Sequence, residues 1–199
     1  MDWSKLVIIF SFLSIMTGCR DVAVPRPKGY FRIDLPEKEY SIFHDTVLSD
    51  GYLPFRFEYP VYGDISFDED DYSEPGWFNI NFPSYKARIY LTYKNINNDL
   101  GDLMEQTYTM NVKNHITKAD AITEKMFIDQ GNKVFGILYD LKGNTATAVQ
   151  FFVTDSVKHF LRGSLYFFTE PNPDSLAPLN EFFREDIIHL IETLRWDEK

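Results

Sequence analysis

Large apolar and polar residues alternate along most of this chain, and in two places the alternation gives way to a helical period. Tyr30-Phe31-Arg32-Ile33-Asp34-Leu35-Pro36 alternates up to a proline stop and predicts a lead-in edge strand. Phe55-Arg56-Phe57-Glu58-Tyr59-Pro60 repeats the pattern, with the three aromatics on one side and Arg56 and Glu58 toward water. Trp77–Phe82 and Arg88–Tyr93, joined by Pro83-Ser84-Tyr85-Lys86, read as a hairpin. From Asn98 or Asp99, both good caps, Leu100, Leu103, Met104, Thr107, Tyr108, Val112, His115 and Ile116 fall at helical spacing. Four strand runs follow, Glu124–Ile128, Lys133–Asp140, Thr145–Thr154 and His159–Phe168, separated by turn residues such as Lys142-Gly143-Asn144. The last element is a second helix. Asp174-Ser175 are its expected cap, Pro178 lies in its expected first turn, and Leu176, Leu179, Phe182, Phe183, Ile187, Leu190, Ile191 and Leu194 form its apolar face.

Strands joined by hairpin-length turns imply an antiparallel sheet and not a series of parallel crossovers. The class expected is α+β: one antiparallel β-sheet flanked by two long helices, an α/β/α sandwich. That element order resembles the Mog1/PsbP-like fold, a likeness of topology that carries little about function.

Ahead of these elements, Lys5 precedes an apolar run, Leu6 to Met16, then Thr17-Gly18-Cys19. The run is shorter than the roughly 20 apolar residues needed to cross a bilayer. It reads as a signal peptide ending in a lipobox-like site, with Met16 where Leu is usual. Cys19 is the sole cysteine, and it is the candidate lipidation residue. Three hydrocarbon tails there, at about 0.8 kcal/mol per buried CH₂, would anchor the protein to a membrane permanently. The organisation expected is a signal peptide over 1–18, a lipid-anchored tether over 19–29 and a single domain over 30–199. Pro25 and Pro27 favour an extended path for the tether. Arg26, Lys28 and Arg32 make it the basic stretch of an acidic protein, either a solvated stalk near headgroups or a docking segment for an acidic partner.

Composition narrows the function. The formal net charge of -10 disfavours nucleic acid as a partner. Eighteen Phe and twelve Tyr supply a core, which argues against disorder over most of the chain. There is no G-x-S-x-G elbow, phosphate loop or H-E-x-x-H pattern, so no catalytic residue is assigned and no cofactor is expected. His44, His115, His159 and His189 are too scattered for a metal site and read as hydrogen-bonded structural residues. Ile65 to Gly76 reads as an acidic loop; its run Asp68–Glu74 lacks the glycine turn and terminal Glu of a calcium loop and reads as solvated. Arg162, in a strand, and Arg184, on the last helix beside Glu181, Glu185 and Asp186, are salt-bridge formers or anion sites.

Three segments together resemble one family: residues 25–36, His159-Phe160-Leu161-Arg162-Gly163-Ser164-Leu165-Tyr166-Phe167, and Phe183-Arg184-Glu185-Asp186 through Leu194-Arg195-Trp196. They are similar to the gliding-motility lipoprotein GldD family of the Bacteroidota, in order and over nearly the whole mature chain. The resemblance implies a cell-envelope accessory required for gliding motility and type IX protein secretion. It would act by protein contacts with other Gld lipoproteins rather than by catalysis. The location expected is the outer membrane, facing the periplasm, held by the lipid anchor. Arg26, Lys28 and Arg32 are the candidate partner contact. The rival expectation is an envelope domain that binds a small molecule or peptidoglycan fragment, or a hydrolase acting on one. An Arg162 left without a protein partner would favour it.

Overall fold

Alternating side chains sort onto two faces of one large sheet, and each face is covered differently. The computed structural model describes residues 33–44, 53–67, 74–143, 145–169 and 173–197, all within one compact unit, 33–199. Seven strands form the main sheet in the order β3 (Asp64–Phe67), β4 (Trp77–Phe82), β5 (Ala87–Asn95), β9 (His159–Phe167), β8 (Thr147–Thr154), β7 (Val134–Gly143) and β6 (Ala119–Asp129). Every neighbouring pair is antiparallel. The β4–β5 hairpin forms where the sequence places it. Pro83–Tyr85 makes a single 3₁₀ turn, and Lys86 takes a left-handed conformation (φ 48°), its N–H donating to Pro83 O at 3.1 Å. Gly163 in β9 is a packing requirement: a Cβ there would overlap the Phe151 ring.

A second, smaller sheet orders β1 (Tyr40–His44), β2 (Phe55–Pro60) and β10 (Arg195–Trp196). Together with a long helix, α2 (Pro173–Thr193), it covers one face of the main sheet. The core between them is aromatic. Phe55, Phe57, Phe78, Phe82, Phe151 and Phe183 are all fully buried, and the Phe82 and Phe183 ring centroids lie 4.5 Å apart. Burying six such side chains, each removing roughly 150–250 Å² from water, contributes heavily to stability in a chain with a single cysteine.

The structure corrects several expectations. The segment 33–39 is not a strand; pairing begins at Tyr40, and β1 exposes Ile42 while burying Phe43. Glu58 does not face water alone but meets His189 Nε2 at 2.7 Å. Helix α2 begins at Pro173, so Pro178 lies beyond the first turn, where a missing N–H leaves the Asp174 carbonyl without its helical donor. The expectation of two long flanking helices is overstated. Helix α1 (Leu100–Tyr108) has 9 residues and passes into a π-helical turn, Thr109–Lys113, whereas α2 has 21. Gly101 and the buried polar side chains of Thr107 and Asn111 weaken the regular helix that the apolar spacing suggests. The fold is mixed α+β with antiparallel sheets, mostly strand.

Candidate functional site

Asp186 occupies the inward face of α2, between the turns carrying Phe182, Phe183 and Leu190, and its side chain is fully buried. A buried carboxylate is costly unless donors surround it. Here Lys38 Nζ donates to Oδ1 at 2.7 Å, Tyr40 Oη to Oδ1 at 3.0 Å and Tyr62 Oη to Oδ2 at 2.6 Å. Lys38 also donates to Phe182 O at 2.6 Å and sits 3.5 Å from the Phe182 ring centroid. Burial, reinforced by the Asp186 charge and hydrogen bond, pushes both phenols far above the usual tyrosine range, so they stay protonated donors. Tyr40 stacks on His189 at 3.7 Å. The cluster fastens the entry segment and β1 to the long helix.

The opposite face of the main sheet carries polar and aromatic side chains in register. One row across it reads Gln150, Ser164, Tyr90 and Asn79; the next reads Phe152, Arg162, Thr92 and Trp77; a third reads Tyr166, Arg88, Asn81 and Asp64. Helix α1 and the π turn cover part of this face, where Leu103 and Val112 pack on Tyr139, Leu141, Phe152 and Phe160. Burial raises the Tyr139 phenol to about 12. Five buried side-chain atoms here lack a hydrogen-bond partner among the described residues: Trp77 Nε1, Arg88 Nε, Gln150 Nε2 and both amide atoms of Asn111. Arg162 meets the Met110 sulfur and no carboxylate among the described residues, and burial lowers its pKa. The Arg88 guanidinium lies 5.2 Å from the Tyr90 ring and 5.4 Å from the Phe168 ring. At its edge is a depression of about 470 Å³, lined by Asp64, Asn81, Pro83, Lys86, Ala87, Arg88 and Phe168.

The expected site residues divide sharply. Cys19, Arg26, Lys28 and Arg32 lie outside the described residues, as does most of the acidic run, 68–73. Arg184 pairs with Asp140 through Nε at 2.8 and 2.9 Å, the structural role expected of it. The histidines serve packing and pairing. His159 is buried, its Nδ1 2.8 Å from Tyr93 Oη and its ring stacked on Trp196; His189 meets Glu58 and His44 meets Asp197. Burial alone would raise the Asp155 carboxyl, but the backbone N–H groups of His159, Val157 and Lys158 donate to it at 2.8–2.9 Å and bring it below its ordinary value. Ser164 donates to Gln150 Oε1 at 3.2 Å, an amide and not a base. No group of three or more potential metal-ligating His, Cys, Asp or Glu side chains occurs among the described residues. No helix among them is long and apolar enough to cross a membrane. Sequence reasoning missed the Lys38–Tyr40–Tyr62–Asp186 cluster. The available signal was Asp186 itself, an acid at an apolar position of the helix.

Comparison with known proteins supplies the identity that geometry alone does not. The model of the family described as gliding motility lipoprotein GldD matches residues 20–196. The chain belongs to that family. No curated protein sequence matches it. Among solved structures, that of cyanobacterial PsbP (CyanoP) from Synechocystis sp. is similar, at 11% sequence identity and a TM-score of 0.48, covering 92% of this chain and 99% of that chain.

Proposed function

We propose that this chain is a lipid-anchored accessory protein of the cell envelope, needed for gliding and for type IX protein secretion through contacts with other envelope proteins. The observation that carries the reading is the family match, which runs through the whole described domain and identifies a motility lipoprotein. The pairing pattern supports it: Asp186, Asp140, Glu58 and Asp155 are committed to internal partners that hold the fold. In this reading Cys19 carries the lipid and holds the protein at the outer membrane, facing the periplasm. Arg26, Lys28 and Arg32 form the contact to an acidic region of another envelope protein, in the extended stretch between lipid and domain. Changing all three to Glu leaves the domain folded and lipidated but abolishes gliding and reduces secretion. Normal gliding in that variant would overturn the contact assignment.

One observation favours a second reading. Arg162, without a carboxylate partner among the described residues, and Arg88 beside an open depression suit an anionic envelope ligand such as a peptidoglycan fragment. If that ligand matters, Arg88→Ala with Arg162→Ala abolishes gliding while the Arg26, Lys28 and Arg32 variant retains it.

A further inference from the structure

The two edges of the main sheet are unlike. Strand β3 has 4 residues, whereas β6 has 11 and, among the described residues, pairs only with β7. An unpaired edge offers a row of backbone donors and acceptors to another strand, and proteins blunt such edges with bulges, prolines or charge. Strand β6 is blunted at one end, where its register shifts between Ala119 and Ala121. From Ile122 to Asp129 the ladder to β7 is unbroken, no proline intervenes, and Met126 and Ile128 are 70% and 66% exposed.

We propose that β6 is a self-association edge, on which a second copy of this chain docks antiparallel with Phe127 on the twofold axis. This does not depend on the motility reading above. Antiparallel pairing about an axis perpendicular to the sheet brings residues of like facing together. With the axis at Phe127, Lys125 stands opposite Asp129 of the second copy and Met126 opposite Ile128, each twice by symmetry. Other axes within the strand are poorer: centring on Glu124 or Lys125 sets like charges face to face, and centring on Met126 sets Glu124 against Ile128. The two ionic partners are prepared for the role. Lys125 is exposed, with its ammonium 4.7 Å from the Phe127 ring centroid. Asp129 is held in place by the backbone N–H of Asn132 at 3.0 Å and its amide at 2.7 Å, which lower its pKa and leave lone pairs for an outside ammonium.

Full-length chains carrying Met126→Cys and Ile128→Cys, distinguished by different tags, are coproduced and oxidised in isolated membranes. The expected result is a mixed-tag disulfide dimer, absent from the wild type, which reports any linkage through Cys19. Glu124→Cys stays monomeric, because in this register its counterpart on the second copy lies roughly 20 Å away along the strand. Adding Lys125→Asp to both chains turns the ion pairs into repulsions and lowers the dimer yield about tenfold. Since these positions are exposed, folding is preserved, and unchanged thermal unfolding verifies it. Monomers only, linkage to a protein of different mass, or equal linkage from Glu124→Cys would each overturn the proposal.

Discussion

The two faces of the main sheet are built on opposite principles. Beneath α2 and the small sheet, large aromatics interlock, and the charge buried there, Asp186, has three donors. Beneath α1 the cover is short and ends in a π turn, and buried amide, indole and guanidinium atoms lack partners among the described residues. The helix side has its own exception in Asn180 Oδ1 on α2. One face therefore supplies stability, while the other keeps polar capacity that the fold does not use. Buried unsatisfied groups cost roughly 1–3 kcal/mol each, so their concentration on one side makes that face the less stabilising of the two.

The contrast is broken most readily by Phe183→Ala. Phe183 is completely buried among Phe82, Tyr85, Phe167 and Phe182, and its loss costs about 3–5 kcal/mol in urea unfolding. Leu103→Ala, on the inward side of the short helix itself, costs about 2–3 kcal/mol; equal losses would erase the distinction between the faces. Next in size, Asp186→Ala strands an ammonium and two phenols and destabilises by about 3 kcal/mol, and protease cleavage between 33 and 44 then precedes global unfolding.

Asn111→Leu sharpens the comparison by acting in the opposite direction. Both amide atoms of Asn111 are buried and unpaired among the described residues, so replacing them with apolar atoms of similar volume stabilises the protein by about 1–2 kcal/mol. A loss of stability would mean that the amide has a partner.

The smallest effect is pH dependence, with one histidine on each side. Burial lowers the pKa of both His159 and His115 below the ordinary 6.5. The unfolded chain therefore binds more protons just below pH 6.5. Stability from these groups is complete above that pH and is lost as the pH falls below it and through the lowered folded-state values. The melting temperature drops on acidification from pH 7, and His159→Gln flattens the slope more than His115→Gln because His159 is the more deeply buried.

Legibility in the sequence followed the same division. Strong alternation located β2, the β4–β5 hairpin and β6 through β9, and a wide apolar stripe located α2, because burial on a single face imposes those periods. The elements missed were β3, whose four residues run into the acidic loop expected from Ile65 and are too few to show a period, and those whose pairing is set by tertiary contact. Strand β1 carries its exposed Ile42 on the side a pattern reader would bury, and Arg195–Trp196 is too short to show a period. The predicted helix around 100–116 overran because Thr107 and Asn111 occupy inward positions where apolar spacing ignores hydrogen-bonding needs. Asp186 illustrates the same limit. Its donors are distant in sequence, 124 to 148 residues away, so no local motif announces the cluster.

The central claim is that an anchored chain serves gliding through contact with other envelope proteins. Crosslinking in living cells, followed by mass spectrometry of wild type and Cys19→Ala side by side, tests it most directly. The account predicts crosslinks from the wild type to other proteins of the gliding and secretion machinery, with both the crosslinks and gliding lost in Cys19→Ala. A Cys19→Ala strain that glides normally and keeps the same crosslinks would contradict it.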